Sequence, residues 1–149
     1  MLWTPRVTVA AIVEQDQHFL CVKETILGQQ VINQPAGHLE QGESLIEAVQ
    51  RETLEETGWI VEPQSIVGIY LWEHPRENLT FLRVTFCCET RTINQHAEID
   101  ADIDEVVWLS RQQLLDSHRA LRSPMVLTCI DEYLQGKQFP LNILRSVPS

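Results

Sequence analysis

Basic residues are scarce in this sequence. Only 11 Lys and Arg stand against 21 Asp and Glu in 149 residues, and the formal net charge is −10. Such a surface repels polyanions, so neither a nucleic acid polymer nor an anionic membrane is expected as a partner. Long hydrophobic runs are lacking as well, and no membrane span is predicted. The apolar segment VTVAAIV turns polar at Glu14 and has no basic leader, which predicts a strand in a cytoplasmic protein rather than a signal peptide.

Cysteines are few, and none is spaced as C-x-x-C, so a structural zinc site is not supported. Three of the four lie in apolar runs typical of buried strands. Adjacent Cys87 and Cys88 would point to opposite faces of such a strand. We expect reduced cysteines that fill small apolar sites. The four are Cys21, Cys87, Cys88 and Cys129.

The chain has the length of one domain, residues 1–149, and 44% of its residues are hydrophobic. Apolar alternation and turn residues predict strands at 7–13, 18–23, 65–72, 80–90 and 106–109, the first two forming a hairpin. Residues 27–35 are polar with one glycine and predict a loop. Helices are predicted at 111–116 and 124–134, the second with Ser123 as N-cap and Gly136 after its end. This order favours an α/β fold with a mixed sheet between helical layers.

The most informative segment runs from Gly37 to Gly58 and reads GHLEQGESLIEAVQRETLEETG. On a helix, Glu52 and Glu56 lie one turn apart on one face, and Glu55 lies about 60° to the other side of Glu52. Carboxylates at this spacing repel each other unless a cation collects them. Oxygen ligands favour a hard ion such as Mg²⁺ or Mn²⁺, held together with substrate phosphates. A solvated acidic face is the alternative interpretation.

Capping and packing signals support a helix in this segment. Glu43 and Ser44 can cap its N-terminus. Leu45, Ala48 and Val49 form its buried stripe, and Gly58 ends the helix.

Seven positions of the segment match the Nudix box without a gap, and on them the sequence resembles the Nudix family. At average composition such a match is expected on the order of once in a million chains of this length. Thr53 stands where an aliphatic residue is usual, and Trp59 is bulky for the position after the last glycine; both positions concern packing. The matching residues are Gly37, Glu43, Arg51, Glu52, Glu55, Glu56 and Gly58.

The resemblance implies an α/β/α sandwich that hydrolyses a nucleoside diphosphate linked to another moiety, with divalent cations. It implies that Glu52 and Glu56 are the main metal ligands and that Glu55 and the carbonyl of Gly37 complete the site. Arg51 would orient the helix by pairing with Glu43, whereas helical spacing alone pairs it with Glu47 or Glu55. The catalytic residues implied are Glu43, Arg51, Glu52, Glu55 and Glu56.

The acidic stretch 98–105 has two interpretations. In the family, a carboxylate beyond the box often serves as a metal ligand or general base, and Glu98, Asp102 or Glu105 could supply it here. Solvated loop charge is the alternative.

Candidates for substrate recognition are few. Trp72 and Phe81 flank the loop 73–80 and either stack a base or belong to the core. His38 could face the phosphates, whereas His18 is expected to cap a turn. The basic candidates for phosphate binding are Lys23, Arg76, Arg83 and Arg122.

Beyond the box, RVTVAAIV, NQPAGHLE, FLR at 81–83 and LRSP at 121–124 resemble the NudJ-type phosphatase branch of the family. That resemblance implies an enzyme that needs Mg²⁺, with Mn²⁺ as a possible substitute. Its small-molecule substrates would be nucleoside tri- and diphosphates and thiamine-type pyrophosphates, including hydroxymethylpyrimidine pyrophosphate, cleaved by direct attack of water. Alternatives are a pyrophosphatase of ADP-ribose or dinucleoside polyphosphates, and a nucleotide-sensing module without catalysis. The intact carboxylate set argues against a sensor, and a monomer is slightly favoured.

Overall fold

A computed structural model describes residues 2–149 of the protein. Two 3-10 turns, His118–Ala120 and Leu141–Ile143, accompany the strands and helices. These are β1 (Arg6–Ile12), β2 (Glu14–Gln15), β3 (His18–Ile26), β4 (Gln29–Asn33), β5 (Ala36–His38), α1 (Leu45–Thr57), β6 (Trp59–Glu73), β7 (Thr80–Ile93), β8 (Ile103–Ser110), α2 (Arg111–Asp116) and α3 (Met125–Leu134).

The first sheet has the strand order β5-β1-β7-β6. Strands β1 and β7 run parallel, and the other two pairs are antiparallel, so the sheet is mixed. Helix α1 packs on one face and α3 on the other, because successive strand residues point to opposite faces and both faces of β1 are apolar. The predicted α/β/α sandwich is confirmed.

Two apolar clusters hold these layers together. Cys87 and Cys88 belong to different clusters, as expected for neighbours on a strand. The α1-side cluster includes Val9, Ala11, Ala48, Val49, Val84 and Phe86. The α3-side cluster includes Ile12, Phe19, Val67, Leu114, Val126 and Ile130.

A second sheet is antiparallel, with β3 at its centre between β4 and β8 and with β2 at its end. The turn at Asp16 and Gln17 has φ of 50° and 64° and joins β2 to β3, so the predicted hairpin forms at its tip. Strand β1, however, belongs to the first sheet. The chain therefore changes sheets between Ile12 and Glu14, which the strand pattern did not predict.

The prediction of a loop at 27–35 is wrong. Gln29–Asn33 forms β4, which pairs with β3 through a turn with φ of 50° at Leu27 and 79° at Gly28. Ile32 is its one buried residue, so the apolar alternation that marks a strand is absent from the sequence. The predicted strands at 65–72 and 80–90 are also longer than expected, because β6 and β7 pair from Trp59 to Glu73.

Helix α2 has the predicted bounds. Helix α3 begins at Met125, with Pro124 rather than Ser123 in the N-cap position, although the Ser123 hydroxyl accepts a hydrogen bond from the Met125 amide at 3.2 Å. Gly136 follows the helix with φ of 82°. Within residues 2–149, no helix combines the length and the apolar character needed to cross a bilayer.

Candidate active site

Helix α1 is capped at both ends. The Ser44 hydroxyl accepts from the Glu47 amide at 3.1 Å, and the Glu47 carboxylate accepts from the Ser44 amide at 2.9 Å. Gly58 ends the helix with φ of 79°, and its amide donates to the carbonyl of Leu54. The cap predicted at Ser44 is confirmed, whereas Glu43 has a different role. These caps and the buried stripe fix which face of α1 carries the carboxylates.

Gly37 lies against the Glu52 side chain. It sits in β5 opposite Val9 of β1, and a Cβ at position 37 would overlap the Glu52 carboxylate. Any larger residue would therefore displace that carboxylate. The glycine that begins the box therefore lies directly beside Glu52 of the helix.

Arg51 joins the loop to the helix. Its Nη2 and Nε donate to the two oxygens of Glu43 at 2.7 and 2.9 Å, and this bidentate contact lowers the pKa of Glu43. Its Nη1 donates to Glu52 at 2.8 Å and to Glu55 at 3.1 Å. The contact with Glu43 implied by the family is present, as is the contact with Glu55 expected from helical spacing. Glu47 is occupied by the capping box instead.

Three carboxylates form a potential cation site. Oxygen atoms of Glu52, Glu55 and Asp100 lie within 4.8 Å of one another. Asp100 is held there because its amide donates to the carbonyl of Glu55 at 2.9 Å. An all-oxygen donor set of this kind suits a hard divalent cation.

Asp100 replaces the carboxylates that the sequence suggested for this place. None of Glu98, Asp102 and Glu105 belongs to the cluster within the described residues. Glu105 lies in β8, where it pairs with Lys23 at 3.7 Å. Of the two interpretations of the acidic stretch, a carboxylate beside the helix is the one observed, but it comes from Asp100, which was not among the three candidates.

Glu56 is buried beside this cluster without being one of its three members. Its carboxylate accepts a hydrogen bond from the Ala36 amide of β5 at 2.9 Å. Burial raises the pKa of Glu56 to about 8, and the charges of Glu52, Glu24 and Asp100 add to the effect. Burial also raises the pKa of Glu52. A cation would favour the ionised forms of both groups, so these carboxylates are suited to hold one.

The two residues that differ from the usual box at packing positions, Thr53 and Trp59, both find partners in the fold. Thr53 is fully buried, and its hydroxyl donates to the carbonyl of Val49 at 2.7 Å. Trp59 packs edge-on against Trp108, with ring centroids 6.1 Å apart. Neither residue offers a ligand to the carboxylate cluster.

The predicted phosphate-binding candidates differ in whether their side chains are free to bind a phosphate. Arg83 is 3% exposed and donates to the side chains of Asn33 and Gln34, so it is not available to a phosphate in this structure. Lys23 pairs with Glu105, and Arg76 lies in the loop between β6 and β7. Within residues 2–149, the exposed side chain of Arg122 forms no ion pair and no hydrogen bond. Burial lowers the pKa of His38, and the charges of Arg6 and Arg122 contribute.

The remaining candidates do not belong to the carboxylate cluster found within residues 2–149. Trp72 and Phe81 are half-buried cross-strand partners, and their rings stack at 5.8 Å. Nδ1 of His18 lies 2.7 Å from the carbonyl oxygen of Asp16, in agreement with its predicted role in a turn. Arg6 and Glu24 were missed, because each lies in a strand that carried no chemical motif.

Comparison with known proteins agrees with this geometry. The family model described as NUDIX domain matches residues 4–129. Phosphatase NudJ of Escherichia coli K12 is 41% identical over 143 residues, which cover 96% of this chain and 92% of the relative. A solved NUDIX hydrolase from Nitrosomonas europaea superposes with a TM-score of 0.94 at 41% identity, covering 97% of this chain and 98% of the other.

A more distant structure shares the fold alone. An ADP-ribose pyrophosphatase from Streptococcus suis superposes with a TM-score of 0.68 at 19% identity, covering 91% of this chain and 96% of the other. The family match and the 41% identical relatives show the family directly. The chain therefore belongs to the Nudix family and is a hydrolase that acts on phosphoric anhydride bonds.

Proposed function

We propose that the protein is a Mg²⁺-dependent phosphohydrolase of nucleoside tri- and diphosphates and of thiamine-type pyrophosphates, including hydroxymethylpyrimidine pyrophosphate. Mn²⁺ is a possible substitute. The observation that carries this proposal is 41% identity to phosphatase NudJ over 96% of the chain. The intact carboxylate set beside Gly37 supports catalysis rather than nucleotide sensing, because sensing does not require metal ligands.

The residues of the box fit a divalent cation. Glu52, Glu55, Glu56 and the carbonyl of Gly37 would hold it, with Asp100 as an additional ligand. When bound, such a cation neutralises phosphate charge and makes a coordinated water a better nucleophile.

The chain's own contacts orient these ligands. Arg51 holds Glu52 and Glu55 through charge-assisted hydrogen bonds and is itself fixed by Glu43. The Ala36 amide fixes the carboxylate of Glu56. Because these contacts exist before substrate binds, little reorganisation is needed at the time of reaction. Glu43 and Arg51 act here as positioning residues.

Direct attack by water is the proposed chemistry. A thiolate nucleophile is disfavoured at Cys21, because burial raises the pKa of this thiol to about 12, and burial raises the pKa of Cys88 as well. Both cysteines also lie in the apolar clusters.

The setting we propose is a single domain over residues 1–149 that works as a monomer in the cytoplasm. The net charge of −10 supports small-molecule substrates over a nucleic acid polymer or a membrane surface.

The test is the release of phosphate and pyrophosphate, with and without Mg²⁺ or Mn²⁺. Substrates are nucleoside tri- and diphosphates, thiamine pyrophosphate, hydroxymethylpyrimidine pyrophosphate, ADP-ribose and a dinucleoside tetraphosphate. We expect metal-dependent release from the nucleoside tri- and diphosphates and from the two thiamine-type pyrophosphates. Release should be strongly reduced in Glu52→Gln. It should be retained in Glu98→Gln, the control that loses the same charge outside the site.

Other outcomes would change the assignment. Much faster cleavage of ADP-ribose or the tetraphosphate would favour a pyrophosphatase over the NudJ-type activity. Nucleotide binding without any release would favour a sensor.

A further inference from the structure

We infer that Arg83 is a positioning residue for the carboxylate site, because it fixes the chain segment that presents the Ala36 amide to Glu56. The inference rests on the proposed function in one respect, since it takes Glu56 to be a ligand of the cation. Arg83 lies on the face of the first sheet that packs against α3, where its Nη1 lies 3.7 Å from Sγ of Cys129. It therefore acts on Glu56 through the backbone between them.

Arg83 is a buried cation with neutral partners. It is 3% exposed, and its Nη1 and Nη2 donate to the side-chain oxygens of Gln34 and Asn33, both at 3.0 Å. Within residues 2–149, no carboxylate lies within ion-pair distance of its guanidinium group. Burying a charge without a counter-charge costs free energy, and an apolar side chain of similar length would avoid that cost. The stability of the fold alone therefore gives no reason for an arginine at this position.

Both side-chain acceptors belong to the segment that crosses from the second sheet to the first. Asn33 ends β4, and Gln34 and Pro35 connect it to β5. Gln34 is fully buried, and its Nε2 donates to the carbonyl of Val126 in the first turn of α3 at 2.8 Å. A proline has a fixed φ and restricts the residue before it to extended conformations. The contacts of Arg83 with Asn33 and Gln34 therefore set the direction in which the chain enters β5.

The next peptide unit faces the carboxylates. The carbonyl of Pro35 accepts a hydrogen bond from the Ala11 amide at 3.0 Å, and the N–H of Ala36 on the same peptide donates to Glu56 at 2.9 Å. This peptide is trans, so its carbonyl and its N–H point in opposite directions. One rigid plane is thus bonded to β1 on one side and to α1 on the other. Any rotation of the plane would move the Ala36 N–H away from Glu56.

Gly37 carries the same dependence to a second carboxylate. It follows Ala36 in β5 and lies against the side chain of Glu52. A change in the path of the chain at Gln34 would therefore reach Glu56 through the Ala36 amide and Glu52 through Gly37. Hydrogen bonds that orient metal ligands from outside typically change metal affinity or activity by about 10- to 100-fold when they are lost.

The experiment measures the site without relying on activity. Arg83→Met keeps the length of the side chain and removes its donors, and Arg83→Lys keeps the charge but loses the planar fork. Tyr70→Phe is the matched control. Tyr70 is the cross-strand partner of Arg83, and its hydroxyl donates to Glu132 of α3 at 2.7 Å, so the variant loses a contact between the same sheet face and α3. Electron paramagnetic resonance counts free Mn²⁺ in the absence of substrate, and NMR follows hydrogen exchange of the Ala36 amide.

We expect Arg83→Met to raise the Kd for Mn²⁺ by about tenfold or more and to speed exchange of the Ala36 amide, with kcat for ADP falling by a similar factor. Arg83→Lys should change all three in the same direction but less, because one ammonium group cannot reproduce the two fixed directions of the guanidinium. Tyr70→Phe should stay near wild type. If circular dichroism shows that Arg83→Met is unfolded, Arg83→Lys and Asn33→Ala, which removes one acceptor only, decide the comparison.

Two results would overturn the inference. Mn²⁺ affinity and Ala36 exchange near wild type in folded Arg83 variants would show that the segment keeps its position without the guanidinium. An equal change in Tyr70→Phe would show that any loss of contact with α3 has this effect.

Glu56→Gln, measured beside these variants, separates the two proposals. If it binds Mn²⁺ as tightly as wild type, Glu56 is not a ligand and the proposed metal site fails, whereas Ala36 exchange still tests the action of Arg83 on the segment. If Glu56→Gln weakens Mn²⁺ binding and the Arg83 variants do not, the metal site stands and the inference about Arg83 falls.

Discussion

At the residue scale, the buried position of Glu56 disfavours its ionised carboxylate, which is the form that would bind a cation. It is 9% exposed, and burial raises its pKa from the ordinary 4.5 to about 8 in the metal-free protein. The folded state therefore binds a proton more tightly than the unfolded state. The stability that this proton provides is fully present below pH 4.5 and is lost as the pH rises through 8.

Glu56→Gln should consequently stabilise the metal-free protein at high pH while abolishing most turnover. The amide oxygen can still accept from the Ala36 amide, and no charge is buried. Relative to wild type, we expect a gain of about 2–5 kcal/mol in the free energy of unfolding at pH 9 and little difference at pH 4. Turnover should fall by orders of magnitude because a charged ligand is lost. Urea titrations in EDTA at both pH values, together with phosphate release in Mg²⁺, measure the two effects.

Glu98→Gln is the control for this comparison, since Glu98 is exposed and outside the carboxylate cluster. If Glu56→Gln and wild type lost stability in parallel as the pH rises, Glu56 would not be the group responsible.

Some individual contacts could be predicted from the sequence and others could not. Helical spacing was enough to predict the contact of Arg51 with Glu55, whereas its contact with Glu43 and the place of Gly37 were expected only from the resemblance to the family. Asp100 was not predictable, since its place depends on a backbone hydrogen bond to Glu55 across 45 residues of chain. The burial of Arg83 also has no local signal, because its partners Asn33 and Gln34 come from β4 and the segment after it.

At the element scale, α1 depends on its capping box. Ser44→Ala removes the acceptor for the Glu47 amide, and we expect the free energy of unfolding to fall by about 1 kcal/mol. Turnover should stay close to wild type, because Arg51 still ties the helix to Glu43. Urea unfolding measures the loss. Ser117→Ala is the matched control, since Ser117 precedes a 3-10 turn without a side-chain cap, and an equal loss there would contradict the assignment.

Elements with strong local signals were predictable, and those defined by pairing were not. Helix α1 carries an apolar stripe, and its cap Ser44 and terminal glycine Gly58 directly flank it in the sequence. Strand β4 has one buried residue, and it exists because β3 offers it an antiparallel partner. The same cause explains the length of β6, whose first residues pair with the end of β7. Non-local pairing leaves little trace in a single sequence.

At the scale of the whole molecule, helix α1, the edge of the first sheet and the loop before β8 converge on one group of carboxylates. These elements are far apart in the chain, and Asp100 reaches Glu55 only in the folded state. The unfolded chain therefore has no equivalent cation site. A divalent cation that binds this site should stabilise the fold by mass action, beyond any screening of the net charge of −10.

We expect Mg²⁺ to raise the free energy of unfolding by about 2.7 kcal/mol at 100 times its Kd, with NaCl of equal ionic strength giving a smaller rise. Asp100→Asn should move this Mg²⁺ dependence to higher concentration, because it removes one charged ligand of the cluster. Asp102→Asn makes the same change of charge two residues away and should leave the dependence unaltered. Thermal or urea unfolding across a Mg²⁺ series measures all three proteins. Equal stabilisation by NaCl, or equal shifts in the two variants, would mean that the carboxylates respond to ionic strength rather than to a bound cation.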